Sequence, residues 1–142
     1  MSPVGALGCG GKVTGEHTGY ACLGDPVTHR RTLELDGRER VLVVRDEIMA
    51  RGKHDVAAFF HFAECCTVKP AGENHYLVDI GPGTAAIELD RRLQVKSFRG
   101  SEDPICGWIS RGYHQKEPAT SLVGCCTCRG DATLVSRIHI GV

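Results

Sequence analysis

Tyr113 and His114 stand side by side in GWISRGYHQKEPATSLVG, residues 107–124, which also holds the chain's single Trp, Trp108. A phenol and an imidazole can act as acid and base in proton transfer. An indole face suits the apolar side of a sugar ring, but it equally fills a core while its N–H finds one acceptor. Core packing is the preferred reading for Trp108. Proton transfer needs a cleft that holds the reacting atoms within hydrogen-bond reach, and no other part of this chain supplies a cleft wall. Lys116-Glu117-Pro118 reads as a turn into the strand from Ser121, since Pro is tolerated at strand edges and starts. The segment is expected to shape and close a sheet. At its most active it lines the rim of a cleft completed elsewhere, with Trp108, Tyr113 and His114 as substrate contacts.

Other residue types invite chemistry as well. Eight Cys include the adjacent pairs Cys65–Cys66 and Cys125–Cys126, and a bridge between sequence neighbours is strained. Buried free thiols are the plain reading. Zinc on Cys125, Cys126 and Cys128 is the alternative, although zinc ribbons show two C-x-x-C pairs and this chain has one. His17 and Tyr20 in HTGY fall at the start of the first long strand, where an exposed or capping role is expected. Arg30 and Arg31 offer guanidinium groups to acidic sugars. Alternation leaves one of them on the solvent side, and Arg30 is carried as a candidate substrate contact.

The elements that position these residues are short. Runs such as PVTHRRTLEL, RVLVVRDEIM, VAAFFHFA, HYLVDI and TLVSRIHI, rich in Val, Ile, Leu and Phe, alternate with Gly, Pro and Asp turns. That rhythm predicts an all-β fold, an antiparallel two-layer β-sandwich. No stretch keeps helical spacing for three turns. At 142 residues the chain forms one domain. Its Lys plus Arg (17) balance Asp plus Glu (17), so no net field draws it to nucleic acid or membrane. No apolar run reaches the roughly eighteen residues of a membrane span. The Gly-rich opening, residues 1–15, reads as a poorly ordered leader without the pattern of a signal peptide. The sandwich is placed at residues 16–142.

Register turns the pattern into a constellation. With DGRE and GKHD taken as hairpin loops, His29 faces Asp46 and Asp46 faces His61. Arg31, Leu33, Leu35, Leu42, Val44, Ile48, Ala57 and Phe59 then share their side, a largely apolar face. A two-residue turn at Asp36-Gly37 would shift the first pairing by two and make His29 and Asp46 diagonal neighbours on the same face. The preferred reading is a partly buried Asp46 carboxylate that accepts hydrogen bonds from imidazole or Arg31. Zinc held by His29, Asp46 and His61 with an open position is the second reading. A catalytic His is the third.

HTGYACLGDPVTHRRTLEL, VLVVRDEI, HDVAAFFHFA and GWISRGYHQKEPATSLVG, in that order, resemble the C-terminal β-sheet domain of the heparinase II/III-like polysaccharide lyases. The family pattern runs H-x-G-Y, V-x-H-x-R, a strand ending in Asp, a strand with F-H, then G-W-x-S-x-x-Y. The likeness extends from about Glu16 to the end. It implies part of a supersandwich-type sheet domain that normally follows an α/α toroid, periplasmic or secreted. It also implies elimination across the glycosidic bond of uronic-acid-containing polysaccharides. That reaction needs a group to neutralise the uronate, a base for the C5 proton and an acid for the leaving oxygen. In the family the toroid supplies much of this, and a His and a zinc site come from G-H-x-H-x-D, V-D-x-G and A-H-N-T segments. This chain has no H-x-H and no His-Asn. Val78-Asp79-Ile80-Gly81 fits V-D-x-G but falls out of order. The chain therefore resembles the portion downstream of the metal site. The implied partners are an acidic polysaccharide and an upstream toroid. No catalytic residue and no cofactor are assigned to the chain itself, and any zinc is placed in the parent enzyme.

Overall fold

The structure is a computed structural model and describes residues 10–142. Its strands are β1 (Gly11–Tyr20), β2 (Val27–Asp36), β3 (Val41–Met49), β4 (Lys53–His61), β5 (Thr67–Gly72), β6 (His75–Asp79) and β7 (Thr84–Glu88). There follow β8 (Gln94–Arg99), β9 (Ser101–Glu102), β10 (Ile105–Cys106), β11 (Trp108–Ile109), β12 (Glu117–Pro118), β13 (Thr120–Arg129) and β14 (Ala132–Ile140). One sheet has seven strands in the order β1-β2-β3-β14-β7-β6-β5, and a second has three, β4-β13-β8. Two small ribbons, β9–β10 and β11–β12, complete the antiparallel, all-β architecture.

The two sheets meet over one core. Alternation on β13 turns Leu122 and Cys126 inward, against Val78, Ile87 and Leu134 of the larger sheet. Leu122 is fully buried, at 0% exposure. From β4 come Val56, Ala58 and Phe60. The three-stranded layer does not extend over β1, all ten residues of which are exposed.

Pairing of β2 with β3 keeps the expected parity but shifts by two residues: His29 opposes Ile48, and Arg31 opposes Asp46. Asp36 is the cause. It stays in the strand and its Oδ1 accepts the N–H groups of Arg38 (2.9 Å) and Glu39 (3.0 Å), so the loop occupies residues 37–40. Leu33 and Val44 face each other directly, as the shared face requires.

The second expected hairpin does not exist. β3 pairs with β14, and β4 crosses to the smaller sheet beside β13, where Cys125 opposes Ala57. Phe59 is 54% exposed, and Ala57 and His61 lie on its exposed side. Val-Ala-Ala-Phe-Phe is apolar on both parities, so alternation alone does not choose the inward one. The corner at residues 50–52 is fastened by contacts distant in sequence. Asp131 Oδ1 accepts from Ala50 N–H at 3.0 Å, and Asp25 Oδ2 accepts from Gly52 N–H at 2.7 Å.

At the start of the domain, Gly11–Gly15 belong to β1, opposite Leu35–Arg31. The boundary expected at residue 16 therefore falls too late. Val13 opposite Leu33 and Thr14 opposite Thr32 supply cross-strand pairs that Gly-rich composition concealed. Residues 1–9 of the expected leader lie outside the described residues.

Gly107 is the hinge of the segment around Trp108. Its carbonyl accepts from Gly100 N–H (2.8 Å) and Ala119 N–H (2.9 Å), and its φ is +79°. A Cβ there would lie 2.7 Å from Arg99 Cα and 2.7 Å from the Phe98 carbonyl oxygen. Gly107→Ala is expected to destabilise the domain by about 2–4 kcal/mol, from strain plus backbone overlap. A lowered urea midpoint with unchanged slope is the expected reading.

Candidate functional site

Between the larger sheet and the edge of β4 lies a cleft of about 380 Å³, with Val27, Ile48 and Leu134 among its apolar walls. Its polar end gathers Tyr20, His29, Arg31 and Asp46, with His54 also lining the cleft. The pleat explains the grouping: His17 opposes His29 across β1–β2, and Arg31 opposes Asp46 across β2–β3. A register shift after His17 re-aims the end of β1, leaving the His17 and Tyr20 rings 5.3 Å apart.

Asp46, 7% exposed, accepts from Arg31 Nε (2.7 Å) and Nη2 (3.0 Å) and from His29 Nε2 (2.7 Å). This is the hydrogen-bonded carboxylate that the sequence favours, with imidazole and guanidinium both engaged. His29 Nδ1 lies 3.2 Å from His17 Nε2, and His17 Nδ1 accepts from Gly19 N–H at 3.2 Å.

Counting donors assigns the ring protons. The carboxylate has no proton to give, so His29 donates through Nε2 and, when neutral, accepts at Nδ1. His17 must then donate through Nε2 and accept at Nδ1. All four ring nitrogens are engaged in hydrogen bonds. A second imidazole–carboxylate pair, His54 Nε2 to Asp25 Oδ2 at 2.6 Å, closes the corner after β3. The His54 hydrogen bond is the leading cause that holds the Asp25 carboxyl below its ordinary range, followed by Gly52 N–H.

The zinc readings do not fit this geometry. His61 lies on the other sheet, where its Nδ1 is 2.8 Å from Ser121 Oγ, so Asp46 does not face it. On β13, Cys126 turns inward with Cys128, their sulfurs 3.6 Å apart, while Cys125, one residue before Cys126, is exposed on the opposite face of the strand. Burial pushes the Cys126 thiol up to about 11, which keeps it protonated at neutral pH. Among the described residues no group of three His, Cys, Asp or Glu is placed to hold a metal ion.

The candidate substrate contacts divide. Trp108 is half-buried, its Nε1 donates to the Ser101 carbonyl at 2.8 Å, and Lys116 Nζ sits 3.9 Å from the ring centroid. Tyr113 is 91% exposed and meets His114 edge-on at 4.2 Å. Arg111 fastens this loop to Glu64 through bonds of 2.5 and 2.7 Å, which hold the Glu64 carboxyl at about 2. Arg30 is elsewhere, on the opposite face of β2 from Arg31, bonded to Glu16 at 2.9 Å. His17 and the Asp25–His54 pair were the residues the sequence reading did not place in a site. Pairing β1 with β2 would have revealed His17, whereas nothing local links Asp25 to His54.

The fold also has counterparts among known proteins. The sequence profile described as Heparinase II/III-like, C-terminal, matches residues 9–136. No curated protein matches the chain. Among solved structures, the heparan sulfate lyase HepC from Pedobacter heparinus superposes with a TM-score of 0.77 at 12% identity, over 96% of this chain and 21% of that one. A structure of heparinase III superposes with a TM-score of 0.74 at 14% identity, over 94% of this chain and 20% of that one. The chain thus spans about one fifth of the length of these structures.

Proposed function

The chain belongs to the heparinase II/III-like, C-terminal family, and from that premise we propose that it serves as the C-terminal β-sandwich portion of a polysaccharide lyase. The reaction is β-elimination on a uronic-acid-containing polysaccharide, and this portion does not perform it alone. The profile match over residues 9–136 carries the proposal. Elimination requires a base with an open lone pair beside C5–H. In the polar cluster the ring lone pairs of His17 and His29 accept hydrogen bonds. That cluster instead ties three strands together, leaving the proton chemistry to an upstream toroid. A periplasmic or secreted address belongs to the same proposal.

Heparin, heparan sulfate and alginate are the substrates for the test, with ultraviolet absorbance of new unsaturated uronates as the readout. The chain alone is expected to give no product, and turnover by it would overturn the division of labour. A polypeptide that adds whatever precedes this chain in frame is expected to give product on one of the three. Failure on all of them removes the lyase reading.

A second reading, a non-catalytic module for acidic carbohydrate, is favoured by the exposure of Tyr113 beside His114. Trp108 belongs to the same rim, with Lys116 covering its ring. Arg30 does not lie with them and is not part of that surface. Affinity electrophoresis in heparan sulfate tests it: retardation that Tyr113→Ala abolishes supports the module, and unretarded migration of the parent chain ends it.

A further inference from the structure

Near its end β13 runs Cys125-Cys126-Thr127-Cys128, and alternation sends Cys126 and Cys128 to the same inward face. Their sulfurs lie 3.6 Å apart. Two residues of extended strand separate the backbones by about 6.4–6.8 Å, so the two side chains lean toward each other along the strand. A disulfide accepts a Cα···Cα separation of up to about 6.8 Å. The pair stands at the far end of that window: a bond is within reach, and it carries strain.

We propose, independently of the lyase reading, that Cys126 and Cys128 are a redox-active dithiol that closes reversibly to a disulfide by exchange with a small-molecule disulfide. Cys126, the less buried of the two, attacks one sulfur of the oxidant, so that a mixed disulfide forms and a first small thiol leaves. Cys128 then attacks Cys126 Sγ, the Cys126–Cys128 bond forms and the second small thiol leaves. Two thiols of the chain are oxidised, one external disulfide is reduced, and both protons end on the released thiols.

The surroundings suit this chemistry. The ladder of β13 with β8 ends at Cys125, whereas the ladder with β4 continues to Arg129. Beyond Cys125 the strand is thus held by β4 alone, which leaves its backbone room to shorten as the sulfurs close. Arg92, with a side chain 51% exposed, sets a positive charge near both sulfurs and favours the thiolate formed during exchange, while Asp90 beside it offsets part of that effect. Burial raises the Cys126 thiol, so exchange is slow at neutral pH. Cys125 points to the other face and does not compete for either partner. Because strain makes a disulfide easier to reduce, the bond belongs with labile disulfides and not with structural ones.

The test is incubation of the 142-residue chain with oxidised glutathione at about pH 8.5, near the ordinary thiol pKa. Acid quenching, alkylation in denaturant and tryptic digestion follow. Cleavage after Lys116 and Arg129 puts Cys125, Cys126 and Cys128 on one peptide, residues 117–129. Mass spectrometry is expected to find that peptide lacking two hydrogens, with its single alkyl group on Cys125. An excess of reduced glutathione of about ten-fold is expected to reopen the bond, where a structural disulfide would persist. Cys125→Ser, at an exposed position, is expected to leave bridge formation unchanged, and Cys128→Ala to abolish it, with circular dichroism verifying both folds. Alkyl groups on both Cys126 and Cys128 after oxidation overturn the proposal, as does a bridge that uses Cys125. A Cys126–Cys128 bond that reduced glutathione fails to reopen overturns its reversibility.

Discussion

Asp46→Ala is expected to lower the stability of the domain by about 2–4 kcal/mol, one of the two largest single effects in the molecule. The carboxylate, on β3, is 7% exposed and holds three hydrogen bonds from two side chains of β2. Removing it leaves the Arg31 guanidinium and the His29 Nε2–H without their acceptor. Arg31 is 47% exposed at its side chain and recovers some hydration, which keeps the figure below that of a fully buried pair. His29, at 22%, recovers less. Asp46→Asn is expected to lose nearly as much, because an amide offers one acceptor where two oxygens served and points a donor at donors. Arg31→Ala is expected to cost less than either, since His29 still bonds Asp46. Urea unfolding of the three variants ranks them. A near-neutral Asp46→Ala would show that the cluster does not hold β1, β2 and β3 together.

Leu122→Ala should cost about 3–5 kcal/mol, the upper part of the range for leucine truncated in a core. Leu122 is fully buried on the central strand of the smaller sheet, and β4 and β8 flank it on both sides. Its neighbours across the core come from β6, β7 and β14, whose backbones are held in ladders and cannot close on the void. Val13→Ala provides the contrast: at 62% exposure it is expected to change stability by less than about 0.5 kcal/mol. Thermal unfolding of both variants separates the layer contact from the uncovered end of the sheet. A Leu122→Ala domain that melts with the parent would mean that the two sheets are not held by this core.

The candidate site was partly legible. Parity placed His29, Arg31 and Asp46 on one face of β2 and β3, and a carboxylate among apolar neighbours demanded partners, which it has. The hairpin register was off by two because Asp36 caps its own turn from within the strand. His17 joined the cluster through β1, which Gly-rich composition had hidden. The zinc reading failed on topology. His61 sits on a strand that changes sheet at residues 50–52, a corner fastened by Asp25 and Asp131 from far away in the chain.

Strand content, alternation on β2 and β3 and the ordered motifs of the heparinase II/III-like family are properties of neighbouring residues, and the amino-acid order suffices to read them. Which strands pair is a different kind of fact. β3 met β14, not β4, and β4 turned Val56, Ala58 and Phe60 inward instead of Ala57 and Phe59. Each choice compares two arrangements with similar local energies. The difference lies in contacts between segments tens of residues apart, such as Leu122 against Leu134 and Ala50 N–H on Asp131. Local pattern cannot carry that information, because it exists once the chain has closed on itself.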